Sequence, residues 1–307
     1  MQMRGRRIGV IMGGPSSERE VSLRTGKGVL EALKQKDYDA VGIDWRAGEN
    51  LGAALQQEKV EVAWVALHGV WGEDGCVQGL LECMGIPYTG SGVMGSAIAM
   101  DKVMSKRIFE HVGVPTAKWA IYKSQADLAG LPLPPLFPIV IKPSREGSSV
   151  GVTIVKELSA IEPAIVEARK HHGEVLVEEY VKGRELNVAI LDDEVLGEVE
   201  VRPAVEFYSY EAKYQRNDTQ YLCPAPVTAE ERARIGEVAK NAHRALGCSS
   251  YSRVDLILGE AGRIICLEVN TLPGMTEKSL IPKIAAGRGM DYAALTERIL
   301  LGASLKA

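Results

Sequence analysis

The chain has 307 residues, 46% hydrophobic and 25% charged, with a net charge of −4; that is enough for about two or three domains of a soluble globular protein. The mild acidic balance gives no reason to expect nucleic acid or an anionic membrane as a partner, and no apolar run is long enough to span a bilayer. The basic start Arg4-Gly5-Arg6-Arg7 leads into an apolar stretch too short for a signal peptide, and the five cysteines (Cys76, Cys83, Cys223, Cys248, Cys266) show no metal-ligand spacing, so reduced thiols in a cytoplasm are expected.

Residues 7–12 form a short apolar run that ends in Gly13-Gly14-Pro15-Ser16-Ser17-Glu18-Arg19-Glu20-Val21-Ser22. The pattern predicts a strand, a glycine turn and a helix to about Lys36, with Ser17 and Glu20 at capping-box spacing. Backbone N–H groups at such a turn can face an anion. Neither G-x-G-x-x-G nor G-K-[ST] is present, so a plain βα turn is the alternative. Glu18, at its mouth, could meet a substrate amine or only favour the helix dipole. Residues 41–44 and 62–67 read as further strands with a helix between them, and this alternation predicts a parallel sheet. His68-Gly69-Val70-Trp71-Gly72-Glu73-Asp74-Gly75 follows the second strand. In open parallel sheets ligands lie past the carboxyl ends of strands, where both glycine turns fall. That placement favours a functional His68 over a purely structural one. Residues 88–92 read as the loop closing this first unit.

One helix is expected over about 93–111, carrying Asp101 and Lys102 as a surface pair, and Gly113-Val114-Pro115-Thr116 stops it. Residues 130–138 form a proline-rich connector. Residues 139–143 make a strand that ends on Lys142-Pro143. The loop Ser144-Arg145-Glu146-Gly147-Ser148-Ser149-Val150-Gly151 then runs into a strand at 152–155. Small and hydroxyl residues between two strands offer free N–H donors that can fold over phosphates, and Lys142 adds a point charge. After a helix near 160–170 comes Glu174-Val175-Leu176-Val177-Glu178-Glu179-Tyr180-Val181. Glu178 could accept from an adenine amino group, the Val181 backbone could meet the ring edge, and Glu185 could accept from ribose hydroxyls; an edge strand with solvated acids is the alternative. Strands at 185–191 and 195–201 follow. Residues 208–223 are polar and aromatic without periodicity, as in a lid or binding loop. A helix is expected over about 229–246.

The most informative stretch is 252–275. Two β-type runs, 253–258 and 264–270, flank Gly259-Glu260-Ala261-Gly262-Arg263 and read as a hairpin. If the loop is 260–263, Asp255 sits opposite Glu268, and the two-residue period puts Arg253, Asp255, Glu268 and Asn270 on one face. Two carboxylates and an amide oxygen suit Mg²⁺ or Mn²⁺ held together with substrate phosphates. The alternative is a wet surface hairpin, against which the mostly apolar neighbours argue. Two terminal helices close the chain.

Taken in order, these motifs resemble the ATP-grasp ligases, and among them the D-alanine:D-alanine ligase family. The resemblance rests on the Gly13–Ser22 turn, His68-Gly69-x-x-Gly72-Glu73-Asp74-Gly75, Lys142 through Gly151, Glu211-Ala212-Lys213-Tyr214, Arg253-x-Asp255 and Glu268-x-Asn270-Thr271-x-Pro273-Gly274-Met275-Thr276, and covers nearly the whole chain. It implies a mixed α/β, three-domain ATP-grasp fold: an N-terminal parallel-sheet domain over 1–94, a central domain over 95–184, and a C-terminal catalytic domain over 185–307 with a lid at about 205–223. ATP would lie between the last two domains. It implies that ATP phosphorylates one D-alanine and that the amine of a second attacks the acyl phosphate, giving D-alanyl-D-alanine for peptidoglycan synthesis. By the same resemblance Asp255, Glu268 and Asn270 would hold two Mg²⁺ or Mn²⁺ ions, and Lys102, Lys142, Ser149, Glu178, Val181, Glu185 and Lys213 would bind ATP. Glu18 would hold the first D-alanine's ammonium, with His68 near its carboxylate, and would join Ser148 and Tyr214 in a triad that shuts the lid. Arg253 and the Gly274 N–H would stabilise the tetrahedral oxyanion, and Ser279 and the Leu280 backbone would hold the second carboxylate. A cytoplasmic homodimer is implied, with no nucleic-acid or membrane partner. Relatives that make D-alanyl-D-lactate carry a histidine in the lid, and residues 208–223 contain none.

Overall fold

The computed structural model describes residues 3–122, 137–147, 150–171, 173–203 and 218–306. Strands β1 (Ile8–Gly13), β2 (Ala40–Trp45) and β3 (Val62–Val65) form a parallel sheet in the order β2-β1-β3. The connections run through α1 (Arg19–Gln35) and α2 (Leu51–Gln57), and α3 (Cys76–Met84) follows β3. Every residue of β1 and β3 is buried, as a parallel sheet covered on both faces requires. Tyr88 bridges to Ala63 and to Ser304, so the end of the chain is stitched to the first sheet. The core there is shared with Leu295, Ile299 and Leu300 of the last helix.

The expected capping box at Ser17 is absent: α1 has Glu18 at its N-cap and no side-chain cap. The neighbouring hydroxyls make longer-range bonds instead. Ser16 Oγ donates to the His68 carbonyl at 2.6 Å, and Ser22 Oγ accepts from Gly13 N and donates to the Ala66 carbonyl, both at 2.8 Å. These bonds lock the two glycine turns side by side.

The single helix expected over 93–111 is two, α4 (Val93–Met100) and α5 (Lys102–Val112). Asp101 breaks the run with an extended backbone (φ −92°, ψ 101°), and its carboxylate accepts from the N–H groups of Val103 at 3.0 Å and Met104 at 3.1 Å. Asp101 and Lys102 are buried, which corrects the surface pair expected from sequence.

Strands β4 (Trp119–Tyr122), β5 (Ile139–Pro143), β6 (Thr153–Val155) and β7 (Val175–Glu179) make an antiparallel sheet in the order β4-β7-β5-β6, backed by α6 (Ile161–Ala168). A larger antiparallel sheet comprises β8 (Gly183–Leu191), β9 (Glu194–Arg202), β10 (Gln220–Leu222), β11 (Tyr251–Gly259) and β12 (Ile264–Asn270), in the order β10-β9-β8-β11-β12. One face packs on α7 (Ala229–Ala245) and on Ala99 and Phe109 of α4 and α5. The other face is covered at one end by α8 (Leu280–Gly287) and is open beside the smaller sheet at the other. Helix α9 (Tyr292–Leu301) returns to α1. The end of the segment expected to be irregular is strand β10; residues 205–217 of the expected lid lie outside the described residues.

Asp101→Ala removes the α5 cap and the 2.8 Å ion pair to Arg145. It should lower stability by about 1–2 kcal/mol, read from the urea midpoint at unchanged m-value, and Asp101→Asn should restore most of that loss.

Candidate functional site

The site is built on the β11–β12 ladder. Asp255 pairs with Glu268, and Arg253 with Asn270, so all four side chains share a face. The register arises differently from the expectation. Pairing begins at Leu258–Ile264, one residue earlier than a 260–263 loop would give, and continues through Leu256–Cys266. A bulge at Leu267 then restores Asp255 to Glu268. As a result Leu267 and Glu268 both line the open cleft while Cys266 and Val269 stay in the core.

Arg253 grips Asp255 with two parallel bonds, Nε to Oδ1 at 2.7 Å and a terminal nitrogen to Oδ2 at 2.8 Å. Asn270 Nδ2 donates to the same Oδ2 at 3.2 Å. Glu268 pairs with Lys102 Nζ at 3.0 Å, and Lys102 Nζ also donates to the Glu146 carbonyl at 2.6 Å. Burial lowers the Lys102 pKa, but Glu268, joined by Glu178 and Glu73 farther off, outweighs it and holds the value above the ordinary one. Lys142 lies 3.0 Å from Glu178 Oε1, and Lys106 lies 3.2 Å from the same oxygen. These are ion-pair contacts, since neither ammonium meets the oxygen in hydrogen-bond geometry. Burial pushes the Glu178 carboxyl up, and Lys106 and Lys142 more than reverse this. Burial leaves Lys142 below the ordinary lysine value.

Several of these groups line a cavity of about 450 Å³ between the two antiparallel sheets, with Lys106, Arg253 and Asn270 behind its wall. Lys102, Lys142 and Glu178 lie along it with Glu146 and Gly147 of the β5–β6 loop; Val181, Glu185 and Leu267 are also on its wall, as are Asp255 and Glu268. A second cavity, of about 460 Å³, is lined by Ser16, Ser17, Glu18, Gly69 and Trp71 on one side and by Glu146, Gly147 and Val150 on the other. The two cavities therefore meet at the β5–β6 loop. A Cβ at Gly147 would stand 3.3 Å from Glu18 Oε2, and one at Gly69 2.9 Å, so the Glu18 carboxylate sits against the backbone next to Ser148. Ser148, Ser149, Lys213 and Tyr214 lie outside the described residues.

His68 is buried and tied to three segments. Its Nδ1 is 2.9 Å from the Leu272 carbonyl and 3.6 Å from Glu73, and its Nε2 is 3.1 Å from Thr25 Oγ1. A carbonyl only accepts, so Nδ1 carries the proton. Burial lowers the His68 pKa, and Glu73 more than offsets it; burial also raises Glu73. His68 thus anchors the loop that carries Gly274 to the first sheet. Beyond that loop Ser279 Oγ accepts from Thr276 N at 3.1 Å, and a Cβ at Gly274 would stand 2.9 Å from Ser279 Oγ. Gly274 and Ser279 are therefore adjacent, with Leu280 opening α8.

Lys106 is the residue that sequence reasoning missed. Its side chain is 0% exposed, also donates to Thr116 Oγ1 at 2.7 Å, and opposes a Glu178 that is 2% exposed. The available signal was its spacing from Lys102, one helical turn on. Removing one partner of a buried pair costs about 3–5 kcal/mol. With Lys142 still present, Lys106→Met should lose about 3 kcal/mol at pH 7. The folded Glu178 pKa is depressed, so this stabilisation is present above the ordinary carboxylate value and disappears as pH falls through the folded value. Urea titrations of both proteins should show the gap narrowing on acidification; a constant gap would contradict the assignment.

Comparison with known proteins bears on these features. The family model described as D-ala D-ala ligase C-terminus matches residues 108–301, and that described as D-ala D-ala ligase N-terminus matches residues 45–91. The chain is 51% identical over 307 residues to the D-alanine--D-alanine ligase of Anaeromyxobacter sp. (strain Fw109-5), covering 99% of this chain and 98% of that one. It is 47% identical to that of Geobacter sulfurreducens, covering 99% and 96%. Among solved structures it resembles the Bacillus anthracis D-alanine--D-alanine ligase complexed with ATP, at TM-score 0.83 and 36% identity over 97% of each chain. It also resembles the VanG D-Ala:D-Ser ligase of Enterococcus faecalis, at TM-score 0.84 and 30% identity over 97% of this chain and 99% of that one. With the hairpin face, the paired lysines and the two adjoining cavities in place, the chain belongs to the D-alanine--D-alanine ligase family of the ATP-grasp enzymes.

Proposed function

We propose that this chain uses ATP to join two D-alanine molecules, releasing D-alanyl-D-alanine, ADP and phosphate. The observation that carries the reading is the meeting of the two cavities at the β5–β6 loop. A nucleotide in one would present its terminal phosphate to an amino acid in the other. The base would rest near Leu267 and Val181, with Glu178 and Glu185 toward its amino and ribose groups, while Lys102, Lys142, Ser149 and Lys213 would face the phosphates.

The donor set at the phosphate end suits a hard divalent cation: the carboxylates of Asp255 and Glu268 with the Asn270 amide oxygen, all on one strand face. Two Mg²⁺ or Mn²⁺ ions, when bound there, would neutralise charge on the β- and γ-phosphates. In this reading the Asn270 amide turns its oxygen outward, and Arg253 turns from Asp255 toward the substrate.

The chemistry then follows from positioning and charge. The first D-alanine is held by its ammonium at Glu18, and its carboxylate oxygen attacks the γ-phosphorus, breaking the bond to ADP. The amine of the second D-alanine, held by its carboxylate at Ser279 and the Leu280 backbone, attacks the acyl carbon and loses a proton. Arg253 and the Gly274 N–H take the charge that develops on the carbonyl oxygen, and phosphate leaves as the peptide bond forms. Closure of the 205–223 lid through Glu18, Ser148 and Tyr214 would keep water from the acyl phosphate. We further propose the domain limits 1–94, 95–184 and 185–307, a homodimer, and a cytoplasmic setting for the chain's part in cell-wall precursor synthesis. Among the described residues no helix is long and apolar enough to cross a membrane.

The test is incubation with Mg²⁺, ATP and D-alanine, L-alanine, D-lactate or D-serine, with phosphate release followed and products identified by mass. D-Alanyl-D-alanine should dominate; a mixed or depsipeptide product would contradict the reading. Glu268→Ala should reduce turnover to background while circular dichroism stays native, and coupled turnover near the parent rate would refute the metal assignment. Tyr214→Phe should raise ATP hydrolysis uncoupled from dipeptide formation; a parental ratio would remove the triad.

A further inference from the structure

We propose that Asn187 is a positioning residue for Asp255, supplying the hydrogen bond that Asp255 needs once Arg253 turns to the substrate. The inference rests on the metal role proposed above for Asp255. Asn187 lies on β8 directly across the ladder from Asp255, and directly paired residues project to the same face of a sheet. The face is that of the cleft, because Glu185 and its partner Ile257, two residues along, line the cavity. On the other side of Asn187 the same face runs into Ala189 and Val199, which are packed in the core under α8. Asn187 thus stands where the open cleft meets the apolar core, with Asp255 as its neighbour on the cleft side.

Its state is unusual. Asn187 is 1% exposed, and its Nδ2 is buried without a hydrogen-bond partner among the described residues. A buried donor left unpaired costs about 1–3 kcal/mol, so the fold carries a penalty that an apolar side chain of the same shape would not incur. Asp255 meanwhile is fully served: both oxygens are taken by Arg253, and Oδ2 is shared with Asn270. The proposed chemistry draws off every one of these donors. Arg253 is needed at the developing oxyanion, and Asn270 must present its oxygen. A buried carboxylate that gives one oxygen to a cation still requires a donor on the other to hold its orientation. Asn187 Nδ2 is placed across one ladder rung to fill that need, and in doing so satisfies itself. The unpaired amide of the resting state is therefore the reserved partner of the loaded state.

The test separates this role from a structural one. Mn²⁺ binding is measured without turnover, from the protein-dependent loss of the free Mn²⁺ EPR signal at fixed ADP, and the thermal midpoint is measured without ligands. Asn187→Leu keeps the shape and removes the donor. Its ligand-free midpoint should equal or exceed the parent's, because an unpaired buried donor is gone, while Mn²⁺ affinity should fall about 10- to 100-fold. A purely structural asparagine gives the reverse pattern, a lowered midpoint with parental Mn²⁺ affinity, and that result overturns the proposal. Asn187→Val, a good strand former, is the second variant; failure of both to fold also overturns it, since the donor would then be needed by the resting fold. Asp255→Asn is the control. If it too binds Mn²⁺ like the parent, the metal assignment fails along with the positioning role; if it loses Mn²⁺ while Asn187→Leu does not, only the positioning role fails.

Discussion

Both oxygens of Asp255 are held by one guanidinium two residues away on the same strand, and in the proposed mechanism that grip is released. In the resting arrangement a guanidinium neutralises the carboxylate proposed to hold a cation. A bidentate pair of this kind is a stable place to keep two charges that the proposed mechanism uses later. In the proposed mechanism it would also couple the two ends of the reaction, since Arg253 would become available to the acyl group as Asp255 finds other partners.

The same economy of charge runs through the rest of the cleft. Lys102 rests on Glu268, and Lys142 shares Glu178 with the deeper Lys106. With Arg253 and Asp255 that makes four cations against three carboxylates, so this set of pairs is close to neutral in itself, while Glu146, Glu179, Glu185 and Glu200 on the cavity wall outnumber Arg184 and Arg202. Burial of so many ionic groups is tolerable only because each is paired. A nucleotide triphosphate arriving with divalent cations would exchange partners with these pairs rather than meet bare charge. Lys106 matters here although it lies behind the cavity wall: it shares Glu178 with Lys142, and in the proposed mechanism that would leave Lys142 freer to act on phosphate.

How much of this was legible in the sequence follows from the range of the forces involved. The face shared by Arg253, Asp255, Glu268 and Asn270 was readable because strand periodicity is local and has a period of two. The way the register is reached was not, since Leu267 reads equally well as a regular strand residue or as a bulge. The helix break at Asp101 was hidden for a similar reason: apolar residues continue on both sides of it, and only the cap reveals that the backbone turns there. The capping box expected at Ser17 did not form, and the roles of the neighbouring Ser16 and Ser22 could not be read locally, because their hydroxyls serve carbonyls at His68 and Ala66, contacts that depend on how the strands are laid side by side. The motifs carried the family and named most of the residues of the proposed site, whereas Lys106 and Asn187 belong to no motif. Their importance comes from what lies across a helix turn or a ladder rung, which is a property of the packed sheet.

The most direct measurement is a crystal structure with Mn²⁺ and a non-hydrolysable ATP analogue, located by anomalous scattering. The account predicts manganese peaks about 2.1 Å from oxygens of Asp255, Glu268 and Asn270, with the guanidinium of Arg253 withdrawn from Asp255. Manganese bound elsewhere, or Arg253 still gripping both Asp255 oxygens beside an occupied nucleotide, would contradict it.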